Sequence, residues 1–220
     1  DFVQPQQPAT EKKLFGIYLL QSLGDLIATS QIAKQIKHTH PNSHVVWFVL
    51  KKFQFVLRGN PYIDEFVELE GNNKEWDARI DELKQSRNWT EFYVPQPHLS
   101  YNYFPGGDLT ELVKAAIGLE WTVPYVPVLR LDEQEISNAR EYFRTLPAGM
   151  KIMVETEFQS EQSPWNVDYA KRMIESLRRH NPVFVFSAKN RPPYFDELQA
   201  LYPRVEWCTL PYRENAELYN

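Results

Sequence analysis

The feature that most constrains this chain is its alternation of short apolar runs with amphipathic, helix-like stretches. Runs at 13–20, 44–50, 63–70 and 90–96 are each followed by helical spacing, and the pattern restarts at 151–158, 182–188 and 205–210. Parallel strands need long crossovers, and crossover helices cover both faces of a sheet. The expected fold class is therefore α/β: two Rossmann-like parallel-sheet units, the second incomplete in this chain. The stretch "EWTVPYVPVLRL" (120–131) reads as an extended connector, because its prolines interrupt any ladder. The expected limits are a polar, Pro/Gln-rich lead at 1–12, a first domain at 13–125 and a second at 126–220. The closing "RENAELYN" reads as the first turns of a further helix, so the chain is expected to be a piece of a longer one.

The first strand-to-helix junction holds an acidic residue. In "SLGDLIATSQIAKQIKHT" (22–39) a helix is expected from Asp25 to about Thr39, with Leu26, Ile27, Ile32, Ala33 and Ile36 sharing a face. Asp25 lies at or near the N-cap, where a carboxylate accepts backbone N–H bonds. It also lies at the carboxyl end of the first strand, the edge at which open α/β sheets bind ligands. Cap and catalytic group both fit the residues.

Several function classes are excluded by what is missing. No G-x-G-x-x-G and no G-x-x-x-x-G-K-[ST] follows a strand, and the chain has only 8 glycines, so dinucleotide and P-loop sites lack support. A formal charge of -5 argues against nucleic acid as a partner. No H-E-x-x-H or paired C-x-x-C occurs, and His38, His40 and His44 fall in a helix-end turn, so no metal is expected. The lone cysteine, Cys208, fits a reducing compartment and a cytoplasmic location. No apolar run reaches the ~18 residues of a membrane span.

With these residues in place, "SLGDLIATSQIAKQIKHTHPNSHVVWFV" resembles the opening of family 9 glycosyltransferases, the lipopolysaccharide heptosyltransferase group. Gly24-Asp25, Thr29, Pro41 and Val45 to Val49 match its order of strand, Gly-Asp turn, helix and second strand. "NPYIDEFVEL" is similar to the family's segment before its third strand. "LTELVKAAIGLEWTVPYVPVLRLDEQEISNAREYF" is similar to its bridge between domains, and "SPWNVDYAKRMIESL" to the helix start of its donor domain. The resemblance runs through nearly the whole chain from Lys13.

The resemblance implies a GT-B fold with an acceptor-side and a donor-side domain. It also implies an enzyme that inverts the sugar it transfers and needs no metal or cofactor, a nucleotide-sugar being the donor. Asp25 is then the general base that deprotonates the acceptor hydroxyl. Gly24, His98, Tyr101 and Tyr103 are candidates for holding a glycan or lipid-linked acceptor, the last three on the loop "PHLSYNYFPGGD" after the fourth strand. Thr156, Trp165, Lys189 and Arg191 are candidates for the donor. Where the family carries Lys or Arg before its donor-domain tryptophan, this chain has Gln162-Ser163-Pro164, leaving Lys189 and Arg191 as the available cations. That departure keeps a second reading open: a non-catalytic glycosyltransferase-like binding module of a larger protein. "KKFQFVLR" (51–58) could lay Lys51, Lys52 and Arg58 on anionic lipid as a peripheral contact at the inner face of the membrane, though a solvated face explains the same charges.

Overall fold

The computed structural model describes residues 12–20, 22–95, 117–155, 166–187 and 190–218. The chain divides into two compact units, the first ending at Arg130 and the second beginning at Leu131.

The first unit is built on four parallel strands, β1 (Leu14–Tyr18), β2 (His44–Leu50), β3 (Glu65–Leu69) and β4 (Glu91–Tyr93), in the order β3-β2-β1-β4. The chain steps outward from β1 to β2 to β3 and then returns to the other side of β1. Strand order therefore reverses between β1 and β4, which makes their carboxyl ends the switch point of the sheet.

Strand parity sorts the core into two faces. On one, Phe15, Ile17 and Leu19 of the β1 segment join Val45, Trp47 and Val49 of β2 beneath Leu26, Ile32, Ala33 and Ile36. On the other, Tyr18, Leu20, Val46, Phe48 and Leu50 pack with Leu69, Trp76, Ile80, Leu83 and Phe92. A strand buried on both faces cannot alternate polar with apolar, which is why "HVVWFVL" is a continuous apolar run. Gly16 belongs to the second face, opposite Phe92 in register. A Cβ on Gly16 would lie 2.4 Å from the Phe92 ring, so the aromatic cluster of Phe48, Trp89 and Phe92 needs the glycine's bare backbone.

The helix expected from Asp25 to Thr39 is instead two, α1 (Leu23–Thr29) and α2 (Gln31–Thr39). Hydroxyls at the junction bond the main chain. Thr29 Oγ1 donates to the Asp25 carbonyl at 2.7 Å and Ser30 Oγ to the Ile27 carbonyl at 2.7 Å. Such back-bonding bends helices. The connector exploits the bend, since Ser30 Oγ accepts the Val128 N–H at 2.7 Å and Gln35 Oε1 accepts those of Thr122 and Val123. The helical stretch after β3 is likewise two helices, α3 (Asn73–Asp77) and α4 (Ile80–Gln85). The helical piece after β2 is a 3-10 turn, Lys51–Leu57, which Gly59 ends at a φ of 78°.

An ionic network ties the amino end of the sheet. Arg87 donates to both oxygens of Glu65, at 2.9 and 2.5 Å, and His44 lies 3.2 Å from the same carboxylate. The Arg87 guanidinium holds the Glu65 carboxyl down at about 2, outweighing the opposing effect of burial, and His44 adds to it. A depressed carboxyl stabilises the fold fully above its unfolded value of 4.5 and loses that contribution as pH falls through about 2. Urea unfolding at stepped pH is expected to show wild-type stability falling across that window. Glu65→Gln is expected to flatten the fall there, and an unchanged slope would remove Glu65 from the acid limb.

The second unit carries a parallel sheet in the order β5-β6-β7, from Lys151–Glu155, Val183–Ser187 and Val205–Trp207. Its described helices are α5 (Glu133–Thr145), α6 (Val167–Leu177), α7 (Phe195–Leu201) and α8 (Tyr212–Glu217). Parity again sorts the middle strand: Phe184 and Phe186 meet Ala170, Ile174, Phe195 and Leu198, while Val183 and Val185 meet Leu146 and Cys208. Between α5 and α8 lies a buried, two-point ion pair, with Arg213 Nε 2.7 Å from Glu135 Oε1 and Nη2 2.9 Å from Oε2. No helix among the described residues is long and apolar enough to cross a membrane.

Candidate functional site

Asp25 stands at the switch point. The β1 segment runs out through Leu20, and Ser22 opens α1 as its N-cap with extended backbone, φ -90° and ψ -176°. Leu23, Leu26 and Ile27 turn inward against the core and seat the first turn on the sheet. Asp25 is therefore the third residue of the helix rather than its cap. The Ser22 backbone N–H donates to Asp25 Oδ2 at 3.3 Å and the Ser22 hydroxyl donates to the same oxygen at 3.2 Å. This is the reciprocal arm of a capping box. Below, the Thr29 hydroxyl holds the Asp25 carbonyl. Among the described residues, no hydrogen bond reaches Oδ1.

Gly24 is exposed, and a Cβ there would meet nothing within 4 Å. Neither packing nor backbone conformation requires glycine at this point; what it leaves is open space beside Asp25. β4 ends at Tyr93 on the same edge, since Ile17 is in register with Tyr93. The segment carrying His98, Tyr101 and Tyr103 follows from that end, but these three lie outside the described residues. The phenols at the strand ends are already engaged: Tyr18 donates to Asp77 at 2.9 Å and Tyr93 donates to Glu91. Burial first, then those carboxylates, pushes both phenol pKa values up, so neither is poised to give or take a proton at neutral pH.

In the second unit the carboxyl edge is acidic and tightly bonded. The Ser187 hydroxyl donates to Glu155 Oε2 at 2.7 Å and accepts from Asn215 Nδ2 at 2.8 Å, with Ser187 and Asn215 both buried. Arg191 pairs with Asp196, and its guanidinium lies 4.7 Å from the Phe195 ring centre. Its charge is thus shared with a neighbour at the start of α7. Thr156, Trp165 and Lys189 lie outside the described residues. Of the basic stretch after β2, Lys51 pairs with Glu70 at 3.3 Å and Lys52 lies over Phe53. His40 stacks on Phe15 while His44 turns to Glu65, so these two rings serve separate structural contacts.

Sequence reasoning weighed Asp25 as cap or catalyst and overlooked Ser22. The signal was present: Ser-Leu-Gly-Asp has the Ser-x-x-acid spacing of a capping box. That spacing places Asp25 inside the first turn.

No protein-family model matches the chain, and no curated protein matches it by sequence. Solved structures match it in three dimensions. A family 9 glycosyltransferase from Veillonella parvula superposes with a TM-score of 0.64 at 14% identity, over 93% of this chain and 72% of that one. E. coli ADP-heptose lipopolysaccharide heptosyltransferase II gives 0.57 at 12% identity, over 89% and 72% of the two chains. E. coli heptosyltransferase WaaC with ADP gives 0.55 at 11% identity, over 93% and 77%. At these identities the likeness is one of fold. The fold class is α/β with parallel-sheet units of the GT-B glycosyltransferase type.

Proposed function

We propose that this protein transfers a sugar from a nucleotide-sugar donor to an acceptor hydroxyl with inversion at the anomeric carbon, and that Asp25 is the general base. One observation carries the reading: a carboxylate anchored through Oδ2 at the switch point of a GT-B-type fold, beside an open glycine. In the reaction the acceptor oxygen attacks the anomeric carbon as its proton passes to Asp25. The bond from that carbon to the phosphate oxygen breaks, and the nucleoside diphosphate leaves. Nothing in this sequence of bond changes demands a metal or a cofactor. Gly24, with His98, Tyr101 and Tyr103, would face a glycan or lipid-linked acceptor of the cell envelope. Thr156, Trp165, Lys189 and Arg191 would face the donor. A cytoplasmic location, against the inner face of the membrane, goes with such substrates.

WaaC is seen with ADP, which makes an ADP-sugar the first donor to try. A thermal-shift panel of ADP, UDP, GDP and their sugars is expected to give a selective rise for one nucleotide and its sugars. The bonded acidic edge and the engaged Arg191 favour a second reading, a non-catalytic module that binds a glycan. A flat panel on well-folded protein, with a shift by glycans alone, would establish that second reading and return Asp25 to a purely helical role.

A further inference from the structure

We infer that Ser22 is the positioning residue of Asp25, an inference that rests on the base reading above. Both donors of Ser22, its N–H and its hydroxyl, converge on one carboxylate oxygen, at 3.3 and 3.2 Å. The capping box accounts for the first of these, with the Ser22 oxygen accepting the Asp25 N–H in return, and asks for no donation by the hydroxyl. The hydroxyl contact adds a second anchor on Oδ2, and two donors on one oxygen fix the plane of the carboxylate as well as its place. The other oxygen, Oδ1, which no hydrogen bond reaches among the described residues, is thereby kept for an acceptor proton. Placing a base to within hydrogen-bond reach of its proton is what general-base catalysis requires, and a carboxylate free to change rotamer about its Cα–Cβ bond spends less time there. The Ser22 backbone is itself held, because its carbonyl accepts the Leu26 N–H at 2.9 Å while Leu26 is fully buried. The anchor is thus built on the core rather than on a free loop.

Two substitutions separate positioning from capping. Ser22→Gly keeps the N–H and costs a helix start only a few tenths of a kcal/mol, but removes the hydroxyl. Ser22→Thr keeps both donors. Turnover would be followed as nucleotide release from ADP-D-β-D-heptose, UDP-glucose and GDP-mannose, with water standing in for the acceptor. Three-bond carbon couplings would report the Asp25 side-chain rotamer. Ser22→Gly is expected to average the rotamer and lower kcat about tenfold with the donor KM unchanged, and Ser22→Thr to restore both. If Asp25→Asn is inactive while Ser22→Gly matches wild type, Ser22 is a cap alone and the inference falls by itself. If Asp25→Asn turns over as fast as wild type, or wild type releases nucleotide from none of the three donors, the base reading fails and takes this inference with it.

Discussion

Asp25→Asn is expected to lower transfer by about a hundredfold to ten-thousandfold, the range a positioned general base contributes. Asparagine has nearly the shape of aspartate, and its carbonyl oxygen can still accept the Ser22 N–H that the carboxylate holds at 3.3 Å. The first turn of α1 also keeps its seat, because Leu23, Leu26 and Ile27 rather than Asp25 pack on the sheet. Folding stability should therefore change by less than about 1 kcal/mol, and donor affinity should not change at all. What the amide lacks is a basic oxygen to receive the acceptor proton. The measurement is transfer rate beside a thermal melt and a donor titration on the same preparation. A variant with full turnover would remove Asp25 from the chemistry. A variant that fails to melt cooperatively would make Asp25 a folding residue first.

Glu135→Gln is expected to destabilise the second unit by about 3–5 kcal/mol, the range found when one partner of a buried ion pair is lost. The Glu135 and Arg213 side chains are 9% and 6% exposed, so the charge left on Arg213 cannot be recovered by water. Glutamine is the right probe, because it can still serve the capping box in which Glu135 Oε2 accepts the Asp132 N–H at 2.8 Å. The loss then reports the ion pair rather than the helix start. The double variant Glu135→Leu with Arg213→Met should recover most of the stability, since an apolar pair of similar volume carries no desolvation penalty. Urea unfolding followed by a probe in α8 would read both. A single variant as stable as wild type would show that solvent reaches Arg213.

Much of this molecule could be read before any coordinates. Alternating runs implied parallel sheets because buried parallel strands must be apolar on both faces, and β2 runs from His44 to Leu50 as its apolar stretch suggests. Asp132 and Glu135 have the spacing of a capping box, and they form one at the start of α5. The Ser22–Asp25 pair was equally local and equally readable. Asp25 as a candidate base was reached from family resemblance, and the structure supplies what spacing could not: which oxygen is anchored and which face is open.

Contacts between distant residues had no local signature. Gly16 looks like a weak strand residue until Phe92, from a strand that begins some seventy positions later, is found against it. The break at Ser30 looked like uninterrupted helix, because the Val128 N–H that its hydroxyl accepts comes from the connector. Nothing near Arg213 in the sequence marks it as buried; α8 packs on α5 and buries it beside Glu135. The sequence by itself determined the elements, their two-sided burial and the local geometry at the start of α1. These depend on neighbours within one or two turns, or on the period of a strand. Only the tertiary structure decided where a glycine was obligatory, where a helix broke and which charges were buried, because each of those depends on an atom contributed from elsewhere in the chain.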